Sequence, residues 1–367
     1  MSVLKNERIQ SSKVGYILAY KDPEYIRTRT LIAGLQNIAN VNLYLAVNTQ
    51  RSFLRYPQTL LRLVMLRLRH NPDSYVLGFR GVEIYWLVRF ITLGKPLVYD
   101  EFLDPYVWIF HDHKKVPEAS LVGRFIQKYL SLIAKNADMI LADTSTHAAF
   151  SAGNKGVPVS KYLAIPVGAD DSVFSPRKDH ELKSKTFTVL FYGSMLPLHG
   201  LEILLEAAKK FDKNITLEII GGKKDTEEMV RKAADDSACT ITYTRWVDIE
   251  ELPNRIAQAD ICLGGPFGAT KQSELVITGK TYQFLAMKKP VIVGDNSAHL
   301  ELFRDKDNCL IVKRGDALSI VKAVDWAYQH KDRLPHIASA GRALYENEFS
   351  QDVISTMLTS IVDVSSD

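Results

Sequence analysis

Residues 265–295 read GPFGATKQSELVITGKTYQFLAMKKPVIVGD. Gly264, Gly265, Pro266 and Gly268 break regular structure, so the stretch opens as a loop. Residues 281–287 have helical spacing, with Tyr282, Leu285 and Ala286 on one face. Lys288, Lys289 and Pro290 close that helix, and residues 291–294 read as a short buried parallel strand ending in glycine. A helix entered through a glycine-rich loop offers backbone N–H groups and a positive dipole end, which suits a diphosphate. Lys271, Lys280 and the polar Gln283 lie at or near that entrance.

Working outward, the same alternation recurs in both halves. Strands are expected near 14–20, 41–47, 75–79, 96–100 and 138–142, and again near 188–193, 215–221 and 239–243, with helices between them. Strand–helix–strand alternation predicts parallel sheets with right-handed crossovers. In open sheets of this kind ligands sit beyond the carboxyl ends of the strands. Asp22 and Arg27 follow the first strand, and Asp100, Glu101 and Asp104 follow another. A carboxylate at such a strand end can accept a hydroxyl proton if it lies within hydrogen-bond reach. In the second half, residues 193–200 (Gly193 and Ser194 through His199 to Gly200) form a glycine-bounded turn opening a helix, a second place for a phosphate.

Composition bounds the rest. A chain of 367 residues with 46% hydrophobic and 24% charged residues suits about two soluble domains. No apolar run approaches a membrane span, and the polar N-terminus does not suit a signal peptide, so a cytoplasmic location is the expectation. Residues 1–180 hold 23 Lys and Arg against 15 Asp and Glu, while the remainder holds 23 against 27. The basic half should attract anionic surfaces or substrates. Residues 51–70 carry five arginines and one histidine among apolar residues, with no acidic residue. They suit a core-facing helix with a basic outer face, or one lying on an anionic membrane surface. Cys239, Cys262 and Cys309 lack metal-like spacing and read as buried thiols. His111-Asp112-His113 reads as a solvated loop, because an i, i+2 pair does not easily converge on one ion. Residues 177–185 are polar and aperiodic, as a linker would be.

The run from Val276 to Ile292, the end of the first half (ADMILADTSTHAAF, then Pro166 to Pro176) and the turn at 193–200 together resemble glycosyltransferases of the group-4 (group 1) family, which have the GT-B fold. The resemblance implies an acceptor-binding Rossmann-like domain over 1–178, a nucleotide-sugar-binding one over 179–345, and a C-terminal helix over 346–367 returning to the first domain. It implies a metal-independent hexosyltransferase that retains anomeric configuration, without a cofactor, acting on a UDP- or GDP-linked sugar. The acceptor would be a glycan or lipid-linked hydroxyl, and no nucleic acid is involved. Asp100 and Glu274 become the catalytic candidates. Gly193, Ser194, His199, Gly200, Gly222, Trp246, Lys271, Lys280 and Gln283 become donor-binding candidates, with Asp22, Arg27 and Asp104 on the acceptor side. The chain departs from the pattern in three ways. Ser194 and His199 stand where many relatives have Arg and Lys. Leu275 stands at the first position of the Glu-x7-Glu donor motif, beside Glu274. Gln283 stands at the second, where an amide can still bond a ribose diol. Asp305-Lys306-Asp307 reads as a structural turn. A weakened, nucleotide-sugar-binding scaffold and a sugar-nucleotide epimerase are alternatives on the same architecture.

Overall fold

The computed structural model describes residues 11–177 and 186–363. The first sheet comprises β1 (Ser12–Leu18), β2 (Val41–Val47), β3 (Ser74–Leu77), β4 (Leu97–Asp100), β5 (Met139–Ala142) and β6 (Tyr162–Ala164) in the order β2-β1-β3-β4-β5-β6. The second comprises β7 (Phe187–Gly193), β8 (Ile215–Gly221), β9 (Thr240–Thr244), β10 (Ile261–Gly265), β11 (Val291–Gly294) and β12 (Leu310–Val312) in the order β12-β11-β10-β7-β8-β9. All pairings within both sheets are parallel. This is the GT-B architecture.

The strands read as continuous apolar runs because both faces are covered. Along β7, Phe187, Val189 and Phe191 enter one core with Leu204 and Ile320. Leu190, between them, enters the other with Cys262, Tyr282 and Leu285. The helix Gln351–Asp363 leaves the second sheet and places Ile354, Leu358 and Ile361 in the first lobe's core with Tyr16, Leu18, Leu31 and Leu35.

The lobes touch through segments that follow strand carboxyl ends. Thr144, after β5, donates its hydroxyl to the Leu275 carbonyl at 2.6 Å. The Thr146 N–H and hydroxyl both bond Glu301, which follows β11. Val107, after β4, is buried in one cluster with Leu275 and Val276, and Leu198, after β7, packs against that cluster. In each sheet the strand order reverses beside the first strand, at β1/β3 and at β7/β10, where doubly wound sheets open a crevice.

Several local expectations needed revision. β6 has only three residues, too short to stand out as a strand, and the four-residue helix Gln272–Leu275 interrupts the expected loop. The segment 107–112 is a π-helix rather than a loop. There His111 turns to Glu118 at 3.5 Å, and the His113 ring lies 4.8 Å from that of Trp108. Asp305 accepts from the Ile311 N–H at 2.9 Å, so the Asp-x-Asp run is a turn. The three cysteines are free and buried. Residues 178–185 of the expected linker lie outside the described residues.

Candidate functional site

The second lobe builds its half of the site from glycine turns. β7 ends at Gly193, and the turn over Pro197–His199 delivers Gly200 at φ 71° into the helix Leu201–Ala208. A Cβ on Gly200 would lie 2.6 Å from the Gly268 nitrogen and 2.7 Å from the Phe267 carbonyl carbon. Only glycine therefore lets this turn lie against the 266–268 loop. Gly221, at the end of β8, is packed as closely on the Gly193 carbonyl, and Gly222 follows at φ 96° against Thr226.

Lys280 lies in the first turn of the helix Gly279–Ala286 and is 5% exposed. Its Nζ is 3.7 Å from where a Gly193 Cβ would sit and 5.1 Å from the centre of the Phe191 ring. Among the described residues no carboxylate pairs with it, and burial pulls its pKa down to about 7. His199 packs beside it, with Nδ1 buried and without a partner. Burial, and then the Lys280 charge, bring the His199 pKa down to about 2, so this imidazole is neutral at physiological pH. One turn beyond Lys280, Gln283 accepts a hydrogen bond from the Tyr192 hydroxyl, leaving its amide N–H groups free of that bond. Ser194 is exposed beside the turn. Trp246 lies after the edge strand β9, 78% exposed, its indole N–H 3.3 Å from Asp248.

Lys271 and Glu274 pair with each other at 2.6 Å at the seam between lobes. Lys271 lies 4.9 Å from the centre of the Phe150 ring in the first lobe. Arg314, which the sequence reading did not single out, donates to the Ser273 hydroxyl at 2.7 Å and stands 4.0 Å from Glu274. Leu275 is buried with Val107 and Val276, so an apolar side chain occupies the position of the first motif carboxylate.

The first lobe is organised differently, because its charges are already matched. Asp100 and Arg27 are both fully buried, and Arg27 Nη2 bonds Asp100 Oδ1 at 2.9 Å. Arg27 Nη1 donates to the Ile165 carbonyl at 2.5 Å, tying the end of β4 to the segment after β6. Asp100 and Arg27, expected to face the acceptor, instead face each other, and neither side chain reaches solvent. Asp104 is likewise enclosed. Lys155 Nζ bonds Glu101 at 2.9 Å and Asp104 at 3.0 Å, and Ser151 donates to Asp104 at 2.7 Å. Burial opposes the Lys155 charge, but Asp104 and Glu101 overcome it and raise its pKa. Asp22 is exposed.

Glu101, Asp104 and His147 offer donor atoms within 4.8 Å of one another, close enough to hold a metal ion. The Lys155 ammonium already stands against both carboxylates, where such an ion would sit.

Besides Arg314, two features escaped the sequence reading. Tyr20, Tyr25, Phe79 and Phe102 form an aromatic cluster beyond β1, β3 and β4, with ring centres 4.6 to 6.1 Å apart. The signal was an aromatic residue soon after each strand end. The second is His147, on the first turn of the helix Ser145–Lys155. Its Nδ1 lies 2.6 Å from Asp143, while Nε2 is buried and without a partner. It lines a cavity of about 20 Å³ between the lobes, with Phe102, Asp104, Trp108, Gln272 and Leu275. Burial works against a charged imidazole, but the Asp143 bond and the charges of Asp143, Asp104 and Glu101 together outweigh it, so the pKa is raised. The spacing Asp143-x3-His147, across a strand end and a helix start, was the available clue.

Residues 186–330 match the family model described as Glycosyl transferases group 1. A D-inositol 3-phosphate glycosyltransferase from Pseudarthrobacter chlorophenolicus is 29% identical over 143 residues, which take in 35% of this chain and 34% of that protein. The match thus spans about a third of the relative's length. The fold resembles a sucrose-phosphate synthase from Thermosynechococcus elongatus at TM-score 0.76 and 14% identity, covering 96% of this chain and 98% of that one. It also resembles Anabaena HepE, solved in complex with UDP, at TM-score 0.72 and 13% identity, covering 96% and 99%.

Proposed function

From the match of residues 186–330 to the glycosyl transferases group 1 model, on a chain with the GT-B fold, we propose a retaining, metal-independent hexosyltransferase. It moves a sugar from a nucleotide-diphosphate sugar to a hydroxyl on a glycan or lipid-linked acceptor. The observation that carries this reading is Lys280: a buried amine with no carboxylate partner among the described residues, beside the Gly193 turn and a neutral histidine. An unpaired buried charge is costly unless something arrives to match it. A diphosphate does so, taking backbone N–H groups from the glycine turn and a charge-assisted bond from Lys280. Gln283 is assigned to the ribose hydroxyls and Trp246 to the base. As the sugar leaves, the negative charge developing on the diphosphate is matched by Lys280, and by Lys271 once Glu274 releases it. HepE binds UDP and UDP-glucose, which makes a uridine donor the first to try.

On the acceptor side, the buried pairing of Asp100 and Arg27 argues for a positioning role. We assign the substrate contact instead to His147, held by Asp143 and bordering the cavity that Leu275 also lines. Calorimetric titration with UDP and GDP tests the donor half. Binding of neither nucleotide would end the reading.

The apolar Leu275 favours one rival, a nucleotide-sugar-binding protein without transfer activity. It predicts nucleotide binding with neither hydrolysis of UDP-glucose or GDP-mannose nor transfer from them.

A further inference from the structure

The helices Arg55–His70, Tyr85–Ile91 and Leu121–Asn136 lie side by side on one face of the first sheet. Tyr85 bonds Asn136 at 3.0 Å, and Arg67 bonds the Leu93 carbonyl, just past the second helix, at 2.9 Å. Each has its own core-facing side, where Leu63, Leu66, Tyr85, Val88 and Ile133 are buried together. Each also carries large apolar side chains that stand exposed among the described residues. Leu68 is 80% exposed, Phe90 78% and Phe125 70%. Leu61, Leu87 and Leu121, on the same three helices, are exposed as well. A soluble protein rarely leaves so many large apolar side chains together on one face without a use for them.

The three helices themselves carry charge of one sign, with Asp73, Glu83, Glu118 and Asp138 standing just beyond their ends. The three helices carry eight arginines and lysines and no aspartate or glutamate. Among the described residues only Arg89 of the eight pairs with a carboxylate, Asp138 at 3.1 Å. A groove of about 400 Å³ adjoins the face between the first helix and the edge strand β2, lined by Arg62, Arg69 and His70 together with Leu43, Leu45 and Met65. A second copy of the chain fits poorly, because a two-fold interface would set these cations against themselves.

We propose that this three-helix face lies on an anionic lipid bilayer. Leu61, Leu68, Phe90 and Phe125 enter the boundary between head groups and acyl chains, and the exposed Arg69, Arg124, Lys128 and Lys135 meet the lipid phosphates. The proposal extends beyond residues 51–70 and stands whether or not the chain transfers sugar.

Sedimentation of the full chain with vesicles tests it. The chain should pellet with phosphatidylglycerol–phosphatidylcholine vesicles, bind less as salt rises, and ignore pure phosphatidylcholine. Leu68→Glu, Phe90→Glu and Phe125→Glu, one in each helix, should each weaken binding about tenfold or more with the melting temperature unchanged. Failure to bind anionic vesicles at low salt overturns the proposal. So does full binding by both Phe90→Glu and Phe125→Glu, which would leave the first helix acting alone. So does a solution dimer that these variants dissolve, because then a second copy covers the face.

Discussion

The two lobes treat their buried cations in opposite ways. In the first, Arg27 is matched by Asp100, and Lys155 by Glu101 and Asp104. In the second, Lys280 is also buried and has no such match among the described residues. A buried ion pair completed within the protein fixes geometry, here the register between the ends of β4 and β6. A buried cation left incomplete can be completed by an anion from outside, the role proposed for Lys280. Buried charge alone therefore does not mark a binding site; the missing partner does.

The sharpest way to break this contrast is to make the same kind of change on both sides. Lys155→Met strands two buried carboxylates and should destabilise the fold by about 3–5 kcal/mol in urea denaturation. Lys280→Met strands nothing and should leave stability equal or higher. If both variants lose stability alike, the distinction fails. The same Lys280→Met protein should bind UDP about 10–150-fold more weakly by calorimetry, the loss of one charge-assisted bond worth about 1.5–3 kcal/mol. A smaller effect is expected at His147. His147→Gln should lower turnover about tenfold while UDP affinity holds, since the assigned contact is to the sugar or acceptor. A parallel loss of UDP binding would move His147 out of that role.

The smallest effect sharpens the contrast through pH. The Lys280 pKa is about 7 in the folded protein and 10.5 when unfolded. Between those values the unfolded chain holds the extra proton, so this group makes stability rise with pH across that window, its penalty being complete below about 7. The wild-type protein should therefore gain more stability than Lys280→Met between neutral and mildly alkaline pH. A diphosphate restores the charge on Lys280, so UDP binding near pH 8 should take up a proton, detected as a dependence of the binding heat on buffer ionisation.

Much of the architecture was legible because doubly covered strands leave continuous apolar runs, as in β7 and β11, and because Gly193, Gly200 and Gly294 punctuate their ends. The grouping of Gly193, His199 and Lys280 was legible for the same reason: it lies in contiguous turns, with Lys280 and Gln283 one helical turn apart. The first lobe's half was not. Asp100 reads as a free carboxylate until Arg27, 73 positions away, is folded against it. Whether a charge is satisfied is a property of long-range contacts. His147 was invisible for a related reason, since the unpaired Nε2 that singles it out exists only once both lobes enclose it.

The returning helix Gln351–Asp363 has a consequence for how the halves can be separated. The polypeptide passes between lobes twice, so no single cut yields two complete units. A fragment ending before residue 351 would leave a bare stripe along the helix Ile26–Gln36 where Ile354, Leu358 and Ile361 belong, and should aggregate. Motion between the lobes is correspondingly tethered at two points, which permits rotation about the line joining them and resists twisting across it.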